Sequence, residues 1–220
     1  MVGSGPADRL RQRLTEGRGR LLVLLATSSV WLLDLALVHR LEHHKVIGNR
    51  VREMVGQLEL AGSVVFVVVA SGLTLALYRG HRHSLFRWAL VYLVVAILQV
   101  IGNVLGMVAT ASNHPSEGLA GLWDVAAVYM QSVLVFMFVY LFLDVSTPGG
   151  AFVWPSRDSE PPPTPHLVDY LFLSLNVNST YGPTSEALID RRAKLVMALQ
   201  TLLAIVMLTV LIARAVSSTS

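Results

Sequence analysis

The sequence predicts an all-α integral membrane protein with about five transmembrane helices and a re-entrant, pore-type helix and loop before the last span. Three observations predict it. Of the 220 residues, 54% are apolar and only 14% charged, where soluble domains carry about 25% charged residues. The apolar residues gather in runs long enough to cross a hydrocarbon core of about 30 Å at 1.5 Å per helical residue. One run, Leu167 to Leu175, is too short, because a helix of that length rises only about 14 Å. It must dip in and come back, or lie flat.

Charge and cysteine usage narrow the function classes. The net charge of +3 sits in short arginine clusters beside apolar runs, which reports topology and contact with anionic lipid and argues against a nucleic-acid surface. The chain has no cysteine, and so no disulfide, thiolate metal site or thiol nucleophile.

Residues 1–20 form a basic tail with Arg9, Arg11, Arg13, Arg18 and Arg20 opposed only by Asp8 and Glu16. A three-span bundle is expected over 21–112. Its first span, Leu21 to Val38, is too long for a signal-peptide core and lacks a small-x-small cleavage site. It contains Asp34, which either reaches headgroup water from near the span's end or supplies a proton or cation contact inside the bundle. His39 to Leu60 is a charged linker expected to lie in the interface as an amphipathic helix. Within it His39, Glu42 and His43 spell H-x-x-E-H, which makes His39 and His43 weak metal candidates. Five residues are a weak pattern and no acidic third ligand stands out downstream. The expectation is therefore no metal, no cofactor and no enzymatic activity.

The second span, Ala61 to Tyr78, carries Gly62, Ser63, Ala70, Ser71 and Gly72, which suit close helix packing in lipid. The third, Trp88 to about Ala111, places Gln99 and Asn103 one turn apart on one face, where their amides need partners. Those partners are a neighbouring helix or a hydrated cavity. Gly102 and Gly106 add a small-x-x-x-small contact. The fourth span, Val125 to about Phe142, has Trp123, Tyr129 and Tyr140 disposed towards its ends as an aromatic belt, and Asp144 ends it. The linker from Ser146 to Pro165 holds Gly149, Gly150, Pro155, Pro161, Pro162 and Pro163 and cannot continue a helix. Thr164 and Pro165 are the expected cap and first-turn pair of the short helix. A polar turn follows, and the last span is entered through Arg191, Arg192 and Lys194 as interfacial anchors.

The order span, Gly/Pro linker, short helix, polar turn, span defines a module over 123–216, and it resembles the pore module of the potassium-channel superfamily. From Val135 onward the chain looks like small actinobacterial membrane proteins described as potassium-channel-like. LFLD before Gly149 and Gly150, DYLFLSLNVNSTYGPTSEALIDRRAKLVM across the turn, and LIARAV near the end carry that likeness. In that group the turn typically reads S-P-T-D, where this chain has Gly182, Pro183, Thr184 and Ser185. The resemblance implies a homo-oligomer, a tetramer, that conducts a monovalent cation across the cell membrane.

The chain departs from true potassium channels at the filter. Their T-V-G-Y-G carbonyls replace the ion's water shell, whereas here the turn is Ser179, Thr180, Tyr181, Gly182, Pro183 and Thr184, with one glycine and a proline that fixes the next dihedral. Hydroxyls of Ser179, Thr180, Thr184 and Ser185 and amides of Asn176 and Asn178 are the candidates to ring a wider, hydrated pore, with Glu186 giving cation bias at its mouth. The same residues are also those of which ordinary turns are made. On the last span Ala198, Thr201, Ala204, Ile205, Leu208 and Ile212 form a stripe suited to line a shared axis or to pack on the fourth span. With five spans and the amino terminus inside, the 17 lysines and arginines split 12 to 5 in favour of the inside. That orientation puts the turn on the cytoplasmic face, opposite to the channel arrangement. The remaining alternative is a non-conducting multi-pass protein that serves as an assembly subunit.

Overall fold

A computed structural model of the chain describes residues 8, 10, 12, 14, 23–33, 49–79, 82–111, 118–155, 164–179 and 186–217. They are mostly helical: α1 Val23–Leu33, α2 Asn49–Arg79, α3 Arg82–Ala111, α4 Gly118–Ser146, α5 Leu167–Asn178 and α6 Arg191–Ser217, with short strands β1 Phe152–Val153 and β2 Ala187–Leu188. Three helices are long and apolar enough to cross a membrane, over Ser84–Val108, Leu122–Ser146 and Arg191–Ala213. Val23–Leu33 and Val64–Arg79 are shorter apolar helices.

Several boundaries differ from expectation for local reasons. Helix α2 runs unbroken from Asn49, so the second half of the linker expected over 39–60 joins the second span instead of lying apart as an interfacial helix. Its sequence offers no proline, and a glycine such as Gly56 costs a helix only about 1 kcal/mol. At α5 the capping residue is His166, not Thr164: the Asp169 carboxylate, three residues on, accepts the His166 backbone N–H at 2.6 Å. Helix α5 also continues past Leu175, which makes Asn176 and Asn178 helical rather than turn residues. Asp190 caps α6, accepting from the Arg192 N–H at 3.2 Å and from the Thr147 hydroxyl at 3.2 Å, and so ties the end of α4 to the start of α6.

An antiparallel ladder, Phe152 with Leu188 and Val153 with Ala187, is the one departure from an all-helical fold among the described residues. Gly149 and Gly150, at φ of 82° and 89°, turn the chain out of α4 into β1, a conformation that other residues adopt only with strain. The ladder clamps the start and the end of the excursion that contains α5 to one end of the bundle.

Helix α4 is the axis of the bundle. Of its apolar window 67% is buried, against 33% for α3 and 28% for α6, because it packs on α3, α5 and α6 together. Helix α2 packs on α3, where Gly72 lets the helices close: a Cβ there would stand 2.6 Å from the Trp88 ring. A Cβ added at Gly62, Gly102 or Gly106 would meet nothing within 4 Å, so among the described residues no neighbouring helix closes on the small-x-x-x-small pair expected of Gly102 and Gly106. The aromatic belt is corrected as well. Trp123 is exposed at the start of α4, but Tyr140 is fully buried and the Tyr129 hydroxyl turns inward to Ser179. The outer faces of α2, α3 and α6 stay apolar, with Val68, Val94, Leu98, Leu105, Leu202 and Ile212 exposed. Lipid is the solvent such surfaces suit.

Candidate functional site

The site is built around α5. Partners change along it in reverse order to α4: Tyr170 meets Asp144, Ser174 meets the Val133 carbonyl, and Asn178 meets Ser132 and Tyr129. Helix α5 therefore runs antiparallel to α4, starting beside the ladder. Over its 12 residues it rises about 18 Å, and Gln200, its partner on α6, lies about 14 Å along α6 from Arg191. The inner end of α5 thus falls near the middle of the lengths of both neighbours. Tyr170, Leu173, Ser174, Val177 and Asn178 face inward, and Val168 and Phe172 face out.

At its outer end α5 is fastened by Asp144. This carboxylate accepts the backbone N–H of Ala151 at 2.7 Å, that of Phe152 at 3.3 Å and the Tyr170 hydroxyl at 2.5 Å. A buried carboxylate needs such donors, since desolvation without them costs far more than folding can offset. Around it Tyr140 meets Phe152 edge-on at 5.7 Å and Trp154 meets Tyr170 edge-on at 5.2 Å, so one aromatic group spans α4, the ladder and α5. Gly150 sits over the carboxylate, where an added Cβ would come 3.0 Å from Asp144 Oδ1. Gly150→Ala is expected to cost about 2 kcal/mol from backbone strain and this close approach. Gly149→Ala, with open space around it, is expected to cost about 1 kcal/mol, and melting curves in detergent measure the difference.

At its inner end α5 enters a polar cage formed within the chain. Gln200, fully buried, accepts from the Tyr140 hydroxyl at 2.5 Å through Oε1 and donates from Nε2 to the Ser174 carbonyl and hydroxyl, each at 3.0 Å. The same nitrogen lies 3.5 Å from Asn178 Oδ1, which also accepts from the Ser132 hydroxyl at 3.2 Å. Asn178 Nδ2 donates to the Tyr129 carbonyl at 3.4 Å, and the Tyr129 and Ser179 hydroxyls are 2.9 Å apart. The Ser179 N–H and hydroxyl both return to the Leu175 carbonyl, closing the last turn of α5.

The residues singled out in the sequence fall into three groups. Asn178 and Ser179 lie in this cage and bond within the chain, while Asn176, two residues before Asn178, is half-buried. Glu186 lies half-buried just before β2, at the ladder end of the bundle. Gln99 and Asn103 are on α3, away from α5, and Asn103 Nδ2 donates to Gln131 Oε1 at 2.8 Å. The remaining candidates, Asp34, His39, His43, Thr180, Tyr181, Gly182, Pro183, Thr184 and Ser185, lie outside the described residues. Among the described residues no group of three His, Asp or Glu side chains is placed to hold a metal ion.

Sequence reasoning missed Gln131, Ser132, Tyr140, Ser174 and Gln200, and read Asp144 only as the end of a span. The signal was present. The rule that marks Gln99 and Asn103, a polar side chain inside an apolar span, applies equally to Gln131 and Gln200. The stripe named on α6 also divides: Ala204 is buried against the bundle and Thr201 is half-buried, while Ala198, Ile205, Leu208 and Ile212 are exposed. Comparison with family models, curated proteins and solved structures finds no match to the chain.

Proposed function

We propose that the chain is a multi-pass cell-membrane protein with about five spans in which α5 is a re-entrant helix, and that several copies of the module from α4 to α6 surround a pore for a monovalent cation. The observation that supports this most is the placement of Asn178. It ends a helix about 18 Å long at mid-depth of α4 and α6, while β2, only nine residues further on, pairs with β1 back at the end where α5 began. A backbone that stops at such depth is tolerated only where protein or water covers it.

The chemistry follows from that placement. The last carbonyls of α5 carry the negative end of the helix dipole, and they precede Thr180 to Ser185, so the field at this turn favours a cation. One chain supplies one set of hydroxyls and carbonyls, and an ion must be surrounded, so several copies share the axis, four on the resemblance to potassium channels. Glu186, at the ladder end, adds cation bias. Reporter fusions at Met1 and Ser220 assign the face on which the turn opens.

A second reading, a non-conducting assembly subunit, is favoured by one observation: Ser132, Ser174, Asn178 and Gln200 bond to one another rather than towards an open axis. Ion flux into liposomes loaded with the purified protein separates the two. The pore reading expects potassium flux that falls at least tenfold in Thr180→Val or Thr184→Val while the protein stays folded and inserted. Absence of flux under any gradient favours the subunit.

A further inference from the structure

We infer that α3 and α4 hold one water molecule at Gln99, Asn103 and Gln131, independently of whether the chain conducts. Gln131 is fully buried in α4, its Oε1 takes the Asn103 amide, and its Nε2 has no acceptor among the described residues. Gln99, one turn before Asn103 on the same face of α3, has a buried Oε1 with no donor among them. A donor and an acceptor thus stand unanswered at two residues linked through Asn103, one its bonded partner across the helix interface and the other one turn before it on α3.

Both atoms are closed to lipid and to a neighbouring chain, since each is buried inside the bundle. Only a molecule small enough to be enclosed reaches them, and an internal water with two to four polar partners is the usual answer to buried groups of this kind. The bound water would accept from Gln131 Nε2 and donate to Gln99 Oε1. Because Ser132 is the next residue of α4 and bonds to Asn178, the hydrated site and the cage around α5 occupy adjacent faces of α4 at one level. Axial rotation of α4 would disturb both.

Solid-state NMR of the full chain in lipid, with glutamine side-chain nitrogens labelled, tests the inference by polarisation transfer from water protons. Gln200 Nε2, equally buried but bonded to Ser174, is the internal control. The expected result is transfer to the Gln131 amide at least several-fold faster than to that of Gln200, lost in Gln99→Leu, which removes the oxygen to which the water donates. Gln131→Met assigns the resonance. Transfer to Gln131 as slow as to Gln200, or a direct bond from Gln131 Nε2 to Gln99 Oε1, overturns the inference.

Discussion

Asp144→Leu is expected to lower stability by about 3 kcal/mol, which for a chain of this size moves the melting midpoint in detergent down by about 6–12 °C. The substitution leaves the backbone N–H of Ala151 and Phe152 and the Tyr170 hydroxyl without an acceptor, in a place where water does not reach. Because these three donors lie on the turn into β1, on the ladder and on α5, their loss releases the ladder and the outer end of α5 together. Asp144→Asn keeps an acceptor oxygen for Ala151, and its amide can donate to the Tyr170 phenol, so about half the loss is expected. Melting of the two variants beside wild type checks the order. Equal stability of Asp144→Leu and wild type would mean that the carboxylate does not hold the ladder.

Gln200→Leu is the second large effect, about 2 kcal/mol. It removes the acceptor of the Tyr140 hydroxyl and a donor to the Ser174 carbonyl, both deep in the bundle. Hydrogen bonds between membrane helices average about 0.6 kcal/mol and reach about 1.7, and this side chain makes several. Tyr140→Phe removes one of them and is expected to cost about 1 kcal/mol. In a double-mutant cycle the two changes should show a coupling of about 1 kcal/mol, read from unfolding in graded detergent mixtures. Strict additivity would separate the two side chains energetically despite their contact. In the pore reading Gln200→Leu also loosens the inner end of α5, so flux should fall further than stability alone accounts for.

Helix existence was legible because a bilayer imposes length: runs such as Leu85 to Val108 and Val125 to Leu143 are long and apolar enough to cross one. The short helix before the last span was legible for the same reason, since Leu167 to Leu175 is apolar but too brief to cross. Its end was not, because Asn176 and Asn178 have turn propensity in isolation, and Asn178 is held in the helix by contacts to residues some 46 to 49 positions earlier and 22 later. The ladder was invisible too. Two-residue strands carry no periodicity, and the pairing depends on Asp144 fixing Ala151 and Phe152 in space. Tyr140 was misplaced in an aromatic belt because spacing along a helix does not reveal which face another helix covers. Partner choice among the intramembrane amides is likewise a tertiary fact: Asn103 finds Gln131, and nothing in either local sequence announces the other.

The account depends on α5 entering and leaving from one side with water at its inner end, and the absence of native cysteine makes this directly measurable. Single cysteines at Thr164, Phe172, Thr180 and Glu186 in reconstituted protein would be challenged with a membrane-impermeant cationic thiol reagent added to one face and then the other. The prediction is that Thr164 and Glu186 react from the same face and that Thr180 also reacts, while Phe172 on the outward apolar face of α5 does not. Reaction of Thr164 and Glu186 from opposite faces, or a Thr180 position as inert as Phe172, would contradict it.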